Sequence, residues 1–304
     1  MQEERVKVNQ IELQIREYEG EGDAIIFLHF SGVNLMMWQR IIHYFQDHYR
    51  LILVDLRGHG KSDKPETGYH IDEMARDVIG IMQHLKLERA HIVGSSLGAE
   101  VGLSIAANYP EKVLSLICEG ALSSEYGPYG IWEGSETDFQ DHVARQLEKM
   151  RKAPETTFPS VDALVDHRRE VFEKYGWWNK HFEVVERYGA YKVAEGKFTK
   201  GFRKQAMQDY MKHYFQYRFE DYYKKVKCPL LMLPGEEVLE NEREKAAMKG
   251  LRELADQGEI VEVSGWVHPY GWLLNPEEVS KAILKFLGDT KTTQAKRGRR
   301  ITAN

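Results

Sequence analysis

Residues 89–103 read RAHIVGSSLGAEVGL. An apolar run over 90–93 ends in Gly94-Ser95-Ser96-Leu97-Gly98 and passes at once into a helix-forming stretch. Neither a buried strand nor an ordinary loop needs small residues on both sides of a hydroxyl. G-x-S-x-G between a strand and a helix has a physical reason: the central residue takes a strained backbone conformation, and glycines two places away let strand and helix approach closely. Such a turn lifts the Ser96 hydroxyl above the strand ends, beside the positive end of the helix dipole. Ser95 does not qualify, because Val93 and Leu97 would be its flanking positions. The sequence therefore nominates Ser96 as a nucleophile.

Working outward, the residues on either side alternate short apolar strands with helices. Two polar-edged strands precede the run AIIFLH (24–29), and YRLILVDL (49–56) gives another buried strand. Residues 71–87 repeat apolar side chains at helical spacing through Met74, Val78, Ile81, Met82 and Leu85. VLSLICEGAL (113–122) is the next strand; PLLMLPG, a charged helix near 243–255, EIVEVS and a last helix over 276–287 resume the rhythm after residue 228. This pattern predicts an α/β fold with a mostly parallel sheet covered on both faces, its core formed by 1–121 and 228–288. Residues 122–227 break the rhythm: they are charged, read as mostly helical, and hold 21 of the 34 aromatic residues. They are expected to form a helical cap inserted between two strands. The basic stretch 289–304 carries five Lys/Arg and few large apolar residues, and is expected to be disordered.

The chain's 304 residues are 42% hydrophobic and 29% charged, ordinary for a globular protein. A formal charge of −5 argues against nucleic-acid binding steered by phosphate attraction. No window approaches the roughly 18 apolar residues of a membrane span, and the start MQEERVKVNQ has no signal-peptide character, so a cytoplasmic location is expected. Cys118 and Cys228 both sit in apolar runs and are expected to be buried free thiols.

Taken with the elbow, LHFSGVNLMMW (28–38) and DLRGHGKSDKP (55–65) make the chain resemble the α/β-hydrolase superfamily over nearly its whole length. The resemblance implies an eight-stranded, mostly parallel sheet, an oxyanion loop at the first stretch and a structural turn at the second. GHGKS is not a phosphate-binding loop, since the first glycine of that motif would have to stand at Asp55. The superfamily's catalytic histidine follows the final strand, which places it at His268. His29 is expected to shape the oxyanion loop. His181 and Glu183, in the cap, lack a ligand spacing, and neither a metal nor an organic cofactor is called for.

The acid of the triad departs from the usual pattern. Its common site after the seventh strand falls on Val238 in PGEEVLE, which cannot orient an imidazole. Glu237, or Glu236 beside it, could substitute. The other candidate is Glu119, at the end of a strand so apolar that burying a carboxylate there is costly without a partner. A histidine would be that partner, and zearalenone-type lactone hydrolases of the superfamily carry a glutamate in this place.

Two backbone amides should hold the oxyanion: Leu97, just after the nucleophile, and by resemblance Ser31. Phe30 stands where a glycine is common, narrowing the pocket. Cap aromatics offered as pocket lining are Trp132, Trp177, Trp178 and Tyr188, with Tyr126 and Tyr129. A serine nucleophile disfavours dehalogenase or epoxide hydrolase chemistry, which this superfamily runs on aspartate. The expected function is a serine hydrolase that cleaves a hydrophobic or ring-bearing carboxylic ester or lactone, a small-molecule substrate, through an acyl-enzyme. The alternatives are a carbon–carbon bond hydrolase or thioesterase on the same triad, or a hydrolase fold that binds a ligand without turnover. The sequence leaves the oligomeric state open.

Overall fold

The computed structural model describes residues 1–301, with side chains through residue 290. Strands β1 (Gln2–Val8), β2 (Ile11–Tyr18), β3 (Ala24–Leu28), β4 (Arg50–Val54), β5 (Ala90–Ser95) and β6 (Val113–Glu119) alternate with helices α1 (Ile42–Phe45), α2 (Ile71–His84) and α3 (Leu97–Asn108). The intervening stretch holds α4 (Glu136–Lys152), α5 (Val161–Glu173), α6 (Lys180–Gly189), a hairpin of β7 (Ala190–Ala194) and β8 (Lys197–Lys200), α7 (Lys204–Tyr214) and α8 (Phe219–Tyr223). The chain then returns through β9 (Leu230–Met232), α9 (Glu236–Glu240), α10 (Glu242–Leu254), β10 (Gly258–Ile260), α11 (Gly271–Leu274) and α12 (Pro276–Ile301).

Eight strands form one sheet in the order β1-β2-β4-β3-β5-β6-β9-β10. Only β2 runs against its neighbours, and every pairing from β4 to β10 is parallel. The strands read as unbroken apolar runs because both faces are covered. Side chains alternate between the two faces. Ile26, Leu28, Ile92, Leu116 and Met232 pack in one core with α2 and α3, whereas Ile25, Phe27, Val93, Ile117 and Leu231 pack in a second core with α1, α11 and α12. The expected doubly covered sheet is present. Cys118 and Cys228 are buried free thiols.

The insertion after β6 is not wholly helical, as the hairpin β7–β8 shows. Its strand AYKVA lies on the surface, half-buried at best, so no continuous apolar run advertised it. Several hydrogen bonds fix the insertion to the core. Asn34 Nδ2 donates to Val185 O at 2.8 Å, Gly68 N and Tyr69 N donate to Asp209 at 3.0 and 3.1 Å, and Ile71 N donates to the Tyr217 hydroxyl at 3.0 Å. Phe219 and Tyr223 of α8 belong to the same apolar core as α3. Of the stretch 289–304 expected to be disordered, Asp289 and Thr290 belong to α12, Thr290 being buried; residues 291–304 lie outside those described with side chains. Among the described residues no helix is long and apolar enough to cross a membrane.

The loop after β4 is held by a buried ion pair. Arg57 donates from Nε to Asp77 Oδ2 at 2.6 Å and from Nη2 to Oδ1 at 2.7 Å, and its Nη1 donates to Gly68 O at 2.7 Å. Both partners are shielded from solvent, so removing one leaves a buried charge uncompensated. Asp77→Ala is therefore expected to lower unfolding stability by about 3–5 kcal/mol; a urea denaturation midpoint within error of wild type would contradict the packing described.

Candidate active site

Ser96 stands between β5 and α3 with φ 48° and ψ −117°, a left-handed conformation that strains any side-chain-bearing residue. The flanking glycines permit it. A Cβ on Gly94 would lie 2.3 Å from Gly98 O, and one on Gly98 would lie 2.0 Å from Leu28 O. Strand, helix and the neighbouring β3 therefore touch backbone to backbone at this point. Ser96 N–H donates to Glu119 O at 2.5 Å, tying the elbow to the end of the adjacent strand.

Glu119 is wholly buried, and four donors converge on its carboxylate. Oε2 accepts from Ser95 Oγ at 2.5 Å and from Trp272 Nε1 at 3.2 Å. Oε1 accepts from Trp266 Nε1 at 3.3 Å and from His268 Nδ1. A carboxylate can only accept, so Nδ1 carries the proton and Nε2 is left as the basic nitrogen. Burial lowers the His268 pKa, but the charge and hydrogen bond of Glu119, with the charges of Glu237 and Glu100, outweigh it and raise the value above that of an ordinary histidine. The Ser96 hydroxyl forms no hydrogen bond among the described residues.

Glu119, His268 and the Ser96 backbone are thus brought together. Glu237 acts on His268 only through its charge; its carboxylate turns back toward Gly235. Glu236 Oε1 accepts from Gly265 N at 2.8 Å, and Val238 packs against the apolar core. His181 and Glu183 have separate structural partners, Gln39 and Arg187.

The loops beside Ser96 are organised by neutral histidines. His29 Nε2 accepts from Leu56 N at 3.1 Å and His59 Nε2 accepts from Gly32 N at 3.0 Å, while each Nδ1 faces a backbone carbonyl. Burial holds both well below the usual histidine range, His29 at about 4. Asp55 accepts from Leu35 N at 2.7 Å, Lys61 N at 2.9 Å and Tyr188 Oη at 3.1 Å; burial raises its pKa to about 6, against the effect of these bonds. Neither Leu97 N–H nor Ser31 N–H is taken up by a protein acceptor among the described residues.

The aromatic residues divide. The Phe30 ring lies 5.3 Å from Tyr270, whose own ring packs 5.2 Å from Phe172, 5.5 Å from Trp177 and 5.8 Å from Phe182. Trp178 joins this group by stacking on Phe172. Trp132 instead packs with Phe139 and His142, Tyr126 stacks on Phe139, and Tyr129 abuts Gly250. Tyr188 serves Asp55 rather than the aromatic group.

A family model described as the alpha/beta hydrolase fold matches residues 23–251. The chain belongs to this family. Among curated relatives, 3-oxoadipate enol-lactonase 2 of Acinetobacter baylyi is 38% identical over 116 residues, covering 38% of this chain and 43% of its own length. The 2-(acetamidomethylene)succinate hydrolase of Mesorhizobium japonicum is 39% identical over 113 residues, covering 37% and 40%. The chain thus spans about two fifths of the length of these relatives. In three dimensions the similarity is longer: the crystal structure of E-2-(acetamidomethylene)succinate hydrolase aligns with TM-score 0.73 and 26% identity over 94% of this chain and 98% of the other.

For this alpha/beta hydrolase, motif reading missed Ser95, Trp266 and Trp272 as partners of the buried glutamate, and Tyr270 as the hub of the aromatic group. The run SGWVHPYGW (264–272) places two tryptophans and a tyrosine within four residues of His268, which was the one local signal available.

Glu100, one turn after Ser96, is a buried acid that accepts from Tyr210 Oη at 2.8 and 2.9 Å. Burial raises its pKa from 4.5 to about 8, so the folded chain holds a proton that the unfolded chain releases. Wild-type stability is therefore lost as pH rises between those values. Glu100→Gln, which cannot ionise, should gain stability relative to wild type across that window and no further above it; urea titrations at pH 5, 7 and 9 measure the difference, and a constant offset refutes the assignment.

Proposed function

We propose that the chain hydrolyses a carboxylic ester or lactone through an acyl-serine intermediate, with Ser96 as nucleophile, His268 as general base and acid, and Glu119 as the acid that orients the imidazole. One observation carries this reading: the Glu119 carboxylate, buried and fully partnered, accepts the Nδ1 proton of His268 while its backbone carbonyl accepts from Ser96 N–H. In the reacting complex Ser96 Oγ approaches Nε2, attacks the carbonyl carbon and gives up its proton to His268. The new oxyanion takes hydrogen bonds from Leu97 and Ser31 N–H. His268 returns the proton to the departing alkoxide as the carbon–oxygen bond breaks, and the acyl-serine is then opened by a water that His268 deprotonates.

Free donors matter most where charge appears only in the transition state; each is worth about 3–4 kcal/mol in comparable sites. The group formed by Phe30, Phe172, Trp177, Phe182 and Tyr270 suits a small-molecule substrate with an apolar or ring-bearing portion. Lactone and amide-type substrates in the names of the relatives fit acyl transfer to water. Val238 at the usual acid position cannot orient an imidazole, and Glu119 takes that part on this reading.

A fluorophosphonate probe should label wild type and leave Ser96→Ala unlabelled. Short-chain p-nitrophenyl esters and aryl lactones should be turned over, and Glu119→Gln, which favours the wrong tautomer, should lower kcat by roughly 10³–10⁴-fold. Folded wild-type protein that neither labels nor turns over any of these substrates refutes the reading.

The pH dependence has a definite sign. The reaction needs neutral His268, and Glu119 stabilises the charged form, so kcat/KM should rise through a midpoint above 6.5. The same ion pair contributes stability at low pH that is lost as pH rises through that midpoint. In Glu119→Gln burial is left as the main influence on the imidazole, and the midpoint should fall. A midpoint that is unchanged in the variant rules out Glu119 as the partner that sets it.

A further inference from the structure

Gly32 directly follows Ser31 in the oxyanion loop. A Cβ placed on it meets one atom within 4 Å, Lys200 Nζ at 4.0 Å. The loop therefore faces open space bounded by an ammonium group. Lys200 ends β8 in the inserted hairpin and lines a cavity of about 300 Å³ together with His167, Arg168, Thr199 and Phe202. The segment that follows is held against the core: Phe202 stacks on His59 with ring centroids 4.0 Å apart, and Gly201 fits closely over Gly60.

Among the described residues Lys200 Nζ makes no hydrogen bond or ion pair. Lys64, by contrast, donates to Gly60 O and Ser62 O at 2.8 and 2.9 Å. Glu186 attracts Lys200, but that carboxylate is already held by Arg168 Nε at 2.9 Å. Burial, reinforced by the Arg168 charge, pushes the Lys200 pKa below the ordinary lysine value. Ser31 Oγ, on the other side of Gly32, is buried without a partner. Lys200 Nζ, taken up by no protein acceptor among the described residues, thus borders both the cavity and the oxyanion loop, and a cation so placed gains from a ligand that brings an acceptor and a negative charge.

We propose that Lys200, with the Ser31 hydroxyl, binds a carboxylate of the substrate, so that the chain acts on esters or lactones of acids that carry a second, free carboxylate. This deepens the hydrolase reading given above and rests on it for the identity of the scissile bond. Lys200 is a specificity residue on this view: it anchors the charged end while the Phe30–Tyr270 group takes the apolar portion.

Matched substrates test it. The p-nitrophenyl half-ester of glutaric acid is compared with the methyl-capped diester, which has the same reacting carbonyl and no charge. Wild type should favour the half-ester by 10-fold or more in kcat/KM, chiefly through KM. Lys200→Met should reduce that preference to about twofold or less while turnover of the neutral diester stays within about threefold, and Lys200→Arg should restore most of the preference. Retained diester turnover also reports that the variant is folded. A binding measurement separates this proposal from the reaction: calorimetric titration of Ser96→Ala with monobenzyl glutarate should give an affinity at least 10-fold above that for benzyl methyl glutarate, and Lys200→Met should remove the difference. Equal affinity for the acid and the ester, or a preference untouched by Lys200→Met, overturns the proposal whether or not wild type hydrolyses either ester.

Discussion

A carboxylate buried at the end of a central strand would be ruinous without partners, and everything around Ser96 is arranged to supply them. Glu119 receives donors from three directions: Ser95 from the neighbouring strand, Trp266 and His268 from the loop after β10, and Trp272 from α11. Desolvating an ion costs several kcal/mol, and only good geometry with every lone pair occupied offsets it. That requirement fixes more than the histidine. It sets the position of the last loop against the sheet, because both indoles must point inward, and it packs Trp272 edge-to-face between Trp266 and Trp38 at centroid distances of 5.0 and 4.7 Å.

The elbow is the second constraint and depends on the first. Ser96 keeps a left-handed backbone because its amide is bound to Glu119 O and because no side chain at 94 or 98 stands in the way. The loops on the other side use neutral histidines as backbone acceptors. With His29 and His59 occupied by Leu56 and Gly32 amides, and Asp55 by those of Leu35 and Lys61, the loop backbone has little freedom to move. The Ser31 and Leu97 amides are among those that no protein acceptor takes up among the described residues, which fits the oxyanion role proposed for them.

Much of this was legible in the sequence for a physical reason. A strand covered on both faces must be apolar throughout, and a nucleophile turn must have small neighbours, so the sheet and Ser96 leave local signatures. Glu119 was legible as an anomaly, an acid where the strand should have stayed apolar. What stayed hidden depends on pairing over long chain separations. Trp266 and Trp272 reach Glu119 across about 150 residues, and nothing within either short stretch announces that contact. The hairpin β7–β8 was hidden differently: it lies on the surface, where alternation is weak and lysines interrupt it. The aromatic residues of the insertion could not be divided from sequence, because which of them meet Tyr270 and which pack among themselves depends on partners distant in the chain.

The electrostatics of the pocket have a direction that composition conceals. Near His268 lies Glu237, whose charge favours the imidazolium; beyond the oxyanion loop lies Lys200. A negative side at the base and a positive side past the oxyanion donors give a polar substrate one favourable orientation out of two. An acid bound in the reverse sense would bring its carboxylate toward Glu237 and leave Lys200 unpaired, two penalties of the same sign. Orientation of this kind acts before any bond is made, and it raises the fraction of encounters that present the carbonyl to Ser96 without tightening the transition state itself. On the proposed reading, the inserted hairpin, invisible to strand patterning, would be the part of the fold that distinguishes one ester from another, and the sheet with its buried glutamate would supply the chemistry common to all of them.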